Sequence, residues 1–437
     1  MSITFRGGIH PAENKHFSEK KPIEKLPAPE IAYVLLSQHI GAPAKPVVKK
    51  GDEVKFGQKI GESAGFISAN IHSPVSGKVK SIEDIPHFLG GYSTAIIIEN
   101  DGNDTPADEL EKHSDWKNLP PDQIPKISAE AGIVGMGGAT FPTNVKLSPP
   151  KDKKVHTVII NGAECEPYLT ADHRLMLEHP DAIVEGAEMI RYALGADRLI
   201  IAIEENKPDA IESMRKTVEG KNIEVAVLKT KYPQGAEKQL INALTGLEVP
   251  SGGLPFDVGC YVQNVGTAKA IRDAVIDGMP LVERVVTISG LAVKEPKNVL
   301  ARVGTPLSEL LESAGGASGE IGKVIMGGPM MGLDQWTLDT PVTKGTSGVL
   351  FIPPEQAKVG EENHCILCAS CIDVCPMKLM PTSIAHNAKY GKFNIAKRLG
   401  ALDCIECGSC VYVCPANINL LHYIRWAKAE IRNMSKK

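Results

Sequence analysis

Two cysteine runs in the last quarter of the chain constrain its fold more than any other feature. Each run has the spacing C-x-x-C-x-x-C-x-x-x-C-P. In such a run three closely spaced thiolates wrap one face of a four-iron cube, and the last cysteine ligates the other cluster. The repeated spacing therefore predicts two [4Fe-4S] clusters in one ferredoxin-like fold. The two runs are Cys365, Cys368, Cys371 and Cys375, followed by Cys404, Cys407, Cys410 and Cys414.

Because the last cysteine of each run crosses over, each predicted cluster takes ligands from both runs. One cluster is assigned to Cys365, Cys368, Cys371 and Cys414, and the other to Cys404, Cys407, Cys410 and Cys375. A pair of zinc sites is the alternative, since paired C-x-x-C units bind zinc. Zinc needs four ligands per site, which leaves the third spacing and the terminal Cys-Pro unexplained. Two neighbouring clusters without a missing ligand are expected to carry single electrons.

Length and charge limit the class of protein. The chain has 437 residues, more than one hydrophobic core usually organises, so several domains are expected. A net charge of -4 gives no broad basic field, and we exclude nucleic acid as a partner. The first residues lack the apolar core of a signal peptide, and no run of 18 apolar residues occurs. With the cysteines clustered, we expect a soluble protein of a reducing compartment.

The segment from residue 45 to 80 predicts a small all-β module. Short β-rich runs are interrupted there by Gly51, Gly57 and Gly77. The segment resembles the biotinyl and lipoyl carrier domains, whose hairpin bears a modified lysine. No lysine lies between Lys59 and Lys78. A structural relative of these barrel-sandwich domains is therefore expected, without a swinging arm.

From about residue 122 to 280 the pattern changes to alternating strands and helices. Buried strands are predicted at VHTVIING, RLIIAIEE and IEVAVLK, separated by amphipathic stretches. This alternation indicates an α/β layer around a largely parallel sheet. Residues 281–316 predict two strands and a short helix, a ββα unit. The chain ends in the basic, helical segment INLLHYIRWAKAEIRNMSKK.

A glycine-rich loop in the α/β region is a candidate nucleotide site. It contains Gly135, Gly137 and Gly138 and is followed by Lys146. Glycines let backbone N–H groups approach a phosphate or a flavin edge, and the lysine adds a point charge. The dinucleotide fingerprint is not met, because its third glycine is absent and the preceding segment is helical rather than a strand. A structural glycine-rich turn is the alternative.

A polar loop follows the predicted strand VHTVII. Asn161, Glu164 and Glu166 stand at the carboxyl end of this strand, where open α/β sheets place ligands. Their side chains suit the hydroxyls of a ribityl or ribose group, and a solvated turn is the alternative. Cys165 and Cys260 lie outside the runs and are expected to be small core or loop residues.

Together, GMGGATFPTNVK and NGAECEPYLTADHR resemble the flavin loop and the acidic loop of the NADH-oxidising flavoprotein subunit of respiratory complex I. The similarity continues through YPQGAEKQLINALTG, VQNVGTAKAI and the ββα unit, which resembles the soluble-ligand-binding β-grasp (SLBB) domain. FRGGIHP, the carrier-like barrel and the doubled cysteine run are similar instead to the C subunit of the Rnf ion-translocating ferredoxin:NAD oxidoreductases, over essentially the whole chain. Cobalamin reductases of bacterial microcompartments have a similar domain order, but FRGGIHPAENKHF favours the Rnf family.

The resemblance implies roles for the loop residues. Those that would cradle FMN are Gly135, Gly137, Gly138 and Lys146, those that would hold flavin or nicotinamide ribose are Asn161, Glu164 and Glu166, and Glu237 and Asn264 are weaker candidates for the same pocket. The complex I loop has an arginine where Met136 stands, and Pro-Gly where this chain has Pro167 and Tyr168. FMN is therefore expected to be held less tightly.

The resemblance also implies a multidomain α/β organisation. The expected order is an N-terminal β barrel-sandwich over 1–115, a Rossmann-type α/β domain like the complex I flavoprotein binding FMN and NAD(H) over 120–280, an SLBB β-grasp domain over 281–350, a helical two-cluster ferredoxin domain over 355–425 and a basic tail over 426–437. Electrons would pass between NAD(H), FMN and the clusters. The protein would lie peripherally on the cytoplasmic face of the membrane, with a ferredoxin-like subunit and integral membrane subunits as partners. A non-catalytic iron–sulfur relay is the alternative outside the enzyme class.

Overall fold

The computed structural model describes residues 3–107 and 111–434. Residues 435–437 of the predicted basic tail lie outside the described residues, as do residues 1, 2 and 108–110 of the predicted N-terminal module. Within the described ranges, no helix is long and apolar enough to cross a membrane. Short 3₁₀ turns occur at Lys15–Phe17, Trp116–Asn118, Pro255–Val258 and Ala401–Asp403.

The N-terminal segment, residues 3–25, crosses several parts of the molecule. Ile3 pairs with Leu228, and further on β1 (Ile23–Lys25) runs parallel to residues 298–300. Residues 3–25 of the expected module 1–115 thus also lie against later units, and the limits of that module stay a prediction. These residues pair with strands of two later units, because their exposed backbone groups complete sheet edges there.

Two consecutive glycines let the N-terminal segment pass between two backbone carbonyls. Gly7 has a φ of 86° and Gly8 a φ of 80°. A β-carbon at Gly7 would stand 3.0 Å from the Cys375 carbonyl oxygen, and one at Gly8 would stand 2.6 Å from the Tyr232 carbonyl oxygen. The Gly8 N–H donates to the Val374 carbonyl at 2.8 Å. Only glycine fits both the backbone conformation and the space.

Two small antiparallel sheets share one core in the barrel-sandwich region. The strands are β2 (Ile31–Leu35), β3 (Lys45–Pro46), β4 (Glu53–Val54), β5 (Lys59–Glu62), β6 (Ile71–His72), β7 (Gly77–Pro86) and β8 (Tyr92–Asn100). One sheet has the order β2-β8-β7-β4 and the other β3-β5-β6. Val34 and Ile96 from the first sheet and Ile60 and Ile71 from the second are buried in one apolar cluster. Alternate residues of each strand face inward, which explains this core.

The α/β unit is built on a parallel sheet of order β11-β10-β9-β12. Its elements are α1 (Gln123–Glu130), α2 (Thr143–Lys146), β9 (Thr157–Gly162), α3 (Ala171–Glu178), α4 (Pro180–Leu194), β10 (Arg198–Glu204), α5 (Pro208–Thr217), β11 (Glu224–Leu228), α6 (Glu237–Thr245), β12 (Cys260–Asn264) and α7 (Val265–Asp277). Strands β9, β10 and β11 were predicted. Strand β12 was not predicted, although all of its residues are buried.

Helices α4 and α7 pack closely on one face of this sheet. Helix α4 begins at Pro180, whose fixed φ suits a first turn, and Gly195 ends it with a φ of 59°. Helix α7 begins at Asn264, whose side chain accepts the Gly266 N–H at 2.7 Å. A β-carbon at Gly186 of α4 would stand 1.8 Å from the Ala268 carbonyl, so glycine lets the two helices approach. Their contact fixes the amino end of α7 at the sheet edge.

The β-grasp unit has a mixed sheet of order β1-β14-β13-β17-β15-β16. Its elements are β13 (Glu283–Ser289), β14 (Lys297–Arg302), α8 (Leu307–Ser313), β15 (Lys323–Met326), β16 (Leu333–Gln335) and β17 (Gly348–Ile352). Leu307 and Leu310 of α8 pack against Val286, Val299 and Phe351 of the sheet. This is the predicted ββα unit with further strands added.

The cysteine region is helical. Its elements are α9 (Pro354–Ala357), α10 (Ser370–Asp373), α11 (Pro381–Lys389), α12 (Phe393–Arg398), α13 (Ser409–Tyr412) and α14 (Leu420–Met434). Ile384 of α11, Ala396 of α12 and Ile424 and Ile431 of α14 form a small core. The segment between the runs forms α11 and α12, which pack on α14.

Lys344 joins three parts of the molecule. This side chain is 1% exposed, and its Nζ donates to the carbonyls of Asn70 at 2.6 Å and Gly132 at 2.7 Å. Its backbone N–H donates to Gln38 Oε1 at 3.0 Å. One residue of the β-grasp unit thus holds the barrel and the start of the glycine-rich loop together.

Candidate functional site

The glycine-rich loop, residues 135–141, lies on the first turn of α7 at the carboxyl edge of the parallel sheet. The Gly135 N–H donates to the Phe141 carbonyl at 2.8 Å, which closes the loop. The Met136 N–H donates to Thr267 Oγ1 of α7 at 2.9 Å. The loop is therefore anchored at a helix amino end, where free N–H groups and the helix dipole favour negative charge.

Two glycines of this loop have different surroundings. Gly137 has a φ of 68°, and a β-carbon there would stand 2.9 Å from Asn264 Nδ2. Apart from Gly138 itself and its chain neighbours, no atom of the described residues lies within 4 Å of the position a β-carbon would take there. The backbone is thus close-packed at one glycine and open at the next. Such a cradle fits a nucleotide that approaches the backbone closely.

Lys146 and Glu237 form an ion pair near the same sheet edge. Lys146 Nζ donates to Glu237 Oε1 at 2.6 Å, and it lies 5.4 Å from the centre of the Tyr261 ring. Both side chains are partly exposed. The lysine expected to bind FMN thus meets one of the two weaker candidates, and a bound phosphate would compete with Glu237 for it.

Asn161 closes the end of β9. Its Nδ2 donates to the Gly235 carbonyl at 2.8 Å, and its Oδ1 accepts the Ala163 N–H at 3.1 Å. A β-carbon at Gly235 would stand 3.6 Å from Asn161 Nδ2. The side chain therefore ties the acidic loop to the loop before α6.

Glu164, Asp172 and Asn264 form a hydrogen-bonded row beneath the loops. The Glu164 carboxylate accepts the N–H groups of Asp172 at 2.7 Å and His173 at 3.2 Å, at the amino end of α3. Asn264 Nδ2 donates to Asp172 Oδ2 at 2.6 Å. Burial, with the neighbouring Glu164, raises the pKa of Asp172 to about 7. The structure therefore joins two of the candidate residues through a third that was missed.

Arg284 of β13 reaches the same place from the β-grasp unit. Its Nε donates to the Thr346 carbonyl at 3.3 Å, and Nη1 contacts Met136 Sδ of the glycine-rich loop. Burial lowers the pKa of Arg284 to about 10, an effect that Asp172 opposes. The sequence analysis missed this residue. Its signal was an arginine directly before the apolar residues of the strand VERVVTIS.

Glu166 occupies a different position from Glu164. Its carboxylate accepts the N–H groups of Met330 at 3.0 Å and Met331 at 2.9 Å, and the Tyr232 hydroxyl lies 3.5 Å away. Burial raises the pKa of Glu166 to about 7. Backbone N–H groups of the loop after β15 thus already bind this carboxylate. Its role toward ribose stays a prediction.

The structure brings the last cysteine of each run to the other run. Burial raises the pKa values of the Cys404, Cys407 and Cys410 thiols, and the nearby Cys375 adds to the effect on each. One cavity is lined by these four residues. Cys371 interacts in the same way with Cys368 and Cys414. We call Cys375, Cys404, Cys407 and Cys410 the inner set, and Cys365, Cys368, Cys371 and Cys414 the outer set.

The two runs have the same backbone conformation. Positive φ angles occur at Leu367 and Ala369 in the first run, and at the matching Glu406 and Gly408 in the second. The short helices α10 and α13 then begin at matching serines. In the inner set, backbone N–H groups point at sulfur: Leu379 N lies 3.4 Å from Cys375 Sγ, and Glu406 N lies 3.4 Å from Cys404 Sγ. N–H groups directed at sulfur suit cluster ligation.

Inner and outer sets differ in burial. Cys407 and Cys410 are buried, whereas Cys365 and Cys368 are exposed. The inner set also contacts the α/β unit, because the Tyr232 hydroxyl donates to the Cys407 carbonyl at 2.9 Å. The inner set therefore lies beside the α/β unit, and the outer set lies at the surface.

The other two cysteines lie in packed surroundings. Cys260 is buried in an apolar cluster of the parallel sheet. Cys165 accepts the Gly235 N–H at 3.4 Å, and burial raises the pKa of its thiol. Among the described residues, no group of three or more His, Cys, Asp or Glu side chains is arranged to hold a single metal ion. The ligand sets stay proposals.

Four models of known domains match the chain. Residues 3–103 match the RnfC barrel sandwich hybrid domain, residues 128–273 the Nuo51 FMN-binding domain, residues 285–334 the SLBB domain and residues 357–415 the 4Fe-4S dicluster domain. These matches confirm the predicted fold class. The solved NAD+-reducing [NiFe]-hydrogenase in its H2-reduced state shares the fold over 74% of this chain and 64% of that chain, with a TM-score of 0.52 and 19% identity.

Similar sequences extend over the whole chain. The C subunit of the proton-translocating ferredoxin:NAD(+) oxidoreductase complex of Clostridium ljungdahlii is 52% identical over 99% of this chain and 95% of that protein. The C subunit of the Na(+)-translocating complex of Acetobacterium woodii is 47% identical over 99% of this chain and 98% of that protein. The predicted family is thereby confirmed: the chain belongs to the RnfC family, the C subunits of the Rnf ion-translocating ferredoxin:NAD(+) oxidoreductase complexes.

Proposed function

We propose that this chain is the member of an ion-translocating ferredoxin:NAD oxidoreductase complex that passes electrons between NAD(H), FMN and two [4Fe-4S] clusters. The observation that carries the proposal is the junction at Tyr232. Its hydroxyl donates to the Cys407 carbonyl at 2.9 Å and lies 3.5 Å from Glu166, in the acidic loop beside the glycine-rich site. Tyr232 thus contacts residues of both the proposed nucleotide site and the proposed cluster site, which supports a path between them.

FMN supplies the step between two-electron and one-electron chemistry, since NADH carries a hydride and each cluster carries one electron. The residues proposed to hold the flavin and the nicotinamide nucleotide are Gly135, Gly137, Gly138, Lys146, Asn161, Glu164, Glu166, Glu237 and Asn264. Support comes from the open space at Gly138 and from the helix amino end under the loop. No acid or base is assigned, because hydride transfer needs none.

The proposed order of the carriers follows from burial. The inner set touches the α/β unit where Tyr232 bonds Cys407, and Pro376, next to Cys375, accepts a hydrogen bond from Gln239 at 3.3 Å. A cluster held by the inner set would exchange electrons with the flavin. A cluster held by the outer set would exchange electrons with a partner protein, since Cys365 and Cys368 are exposed. Electron transfer falls steeply with distance, so the cluster nearest the surface is the natural exit.

The proposed partners are the other Rnf subunits. A ferredoxin-like subunit would dock beside the outer set, where the apolar side chains of Val359, Ile366 and Leu367 are exposed. Integral membrane subunits would carry the ion pumping and hold this chain on the cytoplasmic face of the cell membrane. The two relatives named above belong to complexes that translocate protons and Na+, respectively.

We propose the domain limits 1–115, 120–280, 281–350 and 355–425 with a basic tail over 426–437. The four domain models support the order of these units. Contacts such as that of Lys344 with Asn70 and Gly132 indicate that the units pack together rather than move separately.

The test is anaerobic purification with added FMN, quantification of iron, sulfide and flavin, and titration with NADH followed by visible absorbance. About eight irons, one FMN and prompt bleaching support the proposal. Full clusters without flavin binding or a response to NADH would leave a non-catalytic iron–sulfur relay.

Two cysteine variants test the order of the carriers. In Cys410→Ser the inner cluster is lost, so NADH should still reduce the flavin but not the outer cluster. In Cys371→Ser the outer cluster is lost, and NADH should still reduce the inner one. Electron paramagnetic resonance after rapid freezing distinguishes the two clusters. Fast reduction of the outer cluster in Cys410→Ser would contradict the order.

A further inference from the structure

Arg284 is a buried cation without a matching anion. Its side chain is 5% exposed. Within residues 3–107 and 111–434, no carboxylate lies within the 4.0 Å that defines an ion pair with it. Its hydrogen-bond partners are the neutral Thr346 carbonyl and the Met136 thioether. A buried charge without a counter-ion is costly, so its position needs a reason.

The carboxyl group whose charge acts on Arg284 is only partly ionised at neutral pH. Asp172 is the group that opposes the lowering of the Arg284 pKa. Burial raises the pKa of Asp172 itself to about 7, so a part of its population is uncharged at neutral pH. The Asp172 carboxyl group also accepts a hydrogen bond from the Asn264 amide at 2.6 Å. Positive charge therefore remains at this place.

The guanidinium lies where other features already favour an anion. A β-carbon at Gly266, in the first turn of α7, would stand 3.5 Å from Arg284 Nη1 and 3.4 Å from Met136 Sδ. The glycine-rich loop lies on that same turn, through the bond from the Met136 N–H to Thr267. A helix amino end, a glycine-rich loop and an unpaired cation thus converge.

We propose that Arg284 is a flavin-binding residue supplied by the β-grasp unit, and that its charge stabilises the anionic group of a flavin nucleotide on the glycine-rich loop. The inference rests on the proposed function. The guanidinium contacts the loop through the flexible Met136 thioether. Its charge therefore acts on the flavin across this side chain, by its electric field. The anionic group is either the phosphate ester, present in both redox states, or the reduced isoalloxazine, present only after reduction.

The test is Arg284→Met, which removes the charge and keeps an apolar stem. Removal of an unpaired buried charge is neutral or stabilising, so the flavin-free protein should melt at the same or a higher temperature. Either FMN binding, measured by quenching of flavin fluorescence, should weaken or the midpoint potential of the bound flavin should fall. If the phosphate is the group, FMN affinity falls about tenfold while riboflavin affinity holds. If the reduced ring is the group, both oxidised flavins bind as before and the midpoint potential of the flavin falls, by about 30 mV for a tenfold effect.

Arg302→Met is the matched control. Arg302 lies on the neighbouring strand β14 and is also 5% exposed, but it pairs with Asp104 at 2.8 Å and Glu283 at 3.1 Å. Its loss should lower the melting temperature and leave flavin binding unchanged. Arg284→Lys keeps the charge and should restore most of the binding.

Two results would overturn the inference. In one, Arg284→Met binds FMN and riboflavin as the wild type does, with an unchanged midpoint potential. In the other, it melts well below the wild type as Arg302→Met does, which would assign Arg284 a structural role. Failure of the wild type to bind FMN would instead refute the proposed function, and the inference with it.

Discussion

At the scale of single residues, burial rather than residue type sets the charge of this site. Asp172 is enclosed by α3, the acidic loop and α7, and its pKa rises to about 7 from an ordinary value near 3.8. The folded state therefore holds a proton that the unfolded chain releases. Asp172 therefore makes the free energy of unfolding fall as pH rises from about 4 to about 7. Outside that window its contribution changes little with pH.

Asp172→Asn should therefore stabilise the protein, and more so at pH 8 than at pH 5. The asparagine keeps an oxygen for the Asn264 amide, so the hydrogen bond at 2.6 Å survives. The expected gain at pH 8 is on the order of 2 to 4 kcal/mol. The apparent melting temperature of the anaerobic protein at both pH values measures it. A gain that is the same at pH 5 and pH 8 would contradict the assignment.

Asp209→Asn is the control of opposite sign. Burial alone would raise the pKa of Asp209, but the hydrogen bond and charge of His173 and the backbone hydrogen bonds at Asp209 and Ala210 together outweigh it, so the pKa is lowered. Asp209 therefore contributes stability above its ordinary pKa, which is lost as pH falls through the lowered value. The asparagine variant should melt below the wild type at pH 8, and the difference should shrink in acid.

At the scale of elements, the N-terminal segment depends on glycine. Gly8→Ala adds a β-carbon 2.6 Å from the Tyr232 carbonyl at a φ of 80°. The strained conformation costs about 1 to 2 kcal/mol, and the clash adds to it. We expect a lower melting temperature and a changed resonance spectrum of the inner cluster, since Gly8 must move away from Tyr232 while its N–H is bonded to the Val374 carbonyl, next to Cys375.

Gly91→Ala serves as the comparison for Gly8→Ala. Gly91 has a φ of 72°, and no atom lies within 4 Å of its β-carbon position. This variant carries the backbone strain without the clash, so its cluster spectra should be those of the wild type. Equal effects of the two substitutions would show that the N-terminal segment does not position the cluster.

The elements that the sequence predicted are those with a local signal. The cysteine runs are recognised by their spacing. Strands β9, β10 and β11 are recognised as apolar runs between polar turns. Strand β12 was missed because Gln263 and Asn264 break its apolar pattern, although both are buried. The pairing of Ile3 with Leu228 leaves no local trace, since either partner alone is an ordinary apolar residue.

In the candidate site, too, the sequence pointed only to residues that belong to a local motif. Its glycines, Lys146 and the acidic loop carry recognisable motifs, whereas Asp172 and Arg284 come from a helix turn and from another unit. A single charged residue in an element conveys nothing until its neighbours in space are known. Such residues need the fold before they can be assigned.

At the scale of the whole molecule, Lys344 holds the units in one arrangement. Lys344→Met leaves the carbonyls of Asn70 and Gly132 without their donor, inside the protein. Each unsatisfied buried group costs about 1 to 3 kcal/mol. We expect a lower melting temperature and faster proteolysis between the barrel and the α/β unit.

Lys323→Met provides the reference for Lys344→Met. Lys323 pairs with Asp334 at 3.1 Å on the surface, where ion pairs contribute little. This variant should melt within a degree or two of the wild type, since such pairs give about 0 to 1 kcal/mol. A similar fall in melting temperature in both variants would show that Lys344 contributes no more than an ordinary surface ion pair.

The path of residues 3–25 also has a consequence for biogenesis. This segment is translated first, yet Gly8 binds Val374 and β1 pairs with residues 298–300, which emerge from the ribosome much later. Contacts so distant along the chain form slowly, and unpaired edges are prone to aggregation meanwhile. The segment can therefore dock only after the residues up to Val374 have been made, and the sheet edges that it covers stay unpaired until then.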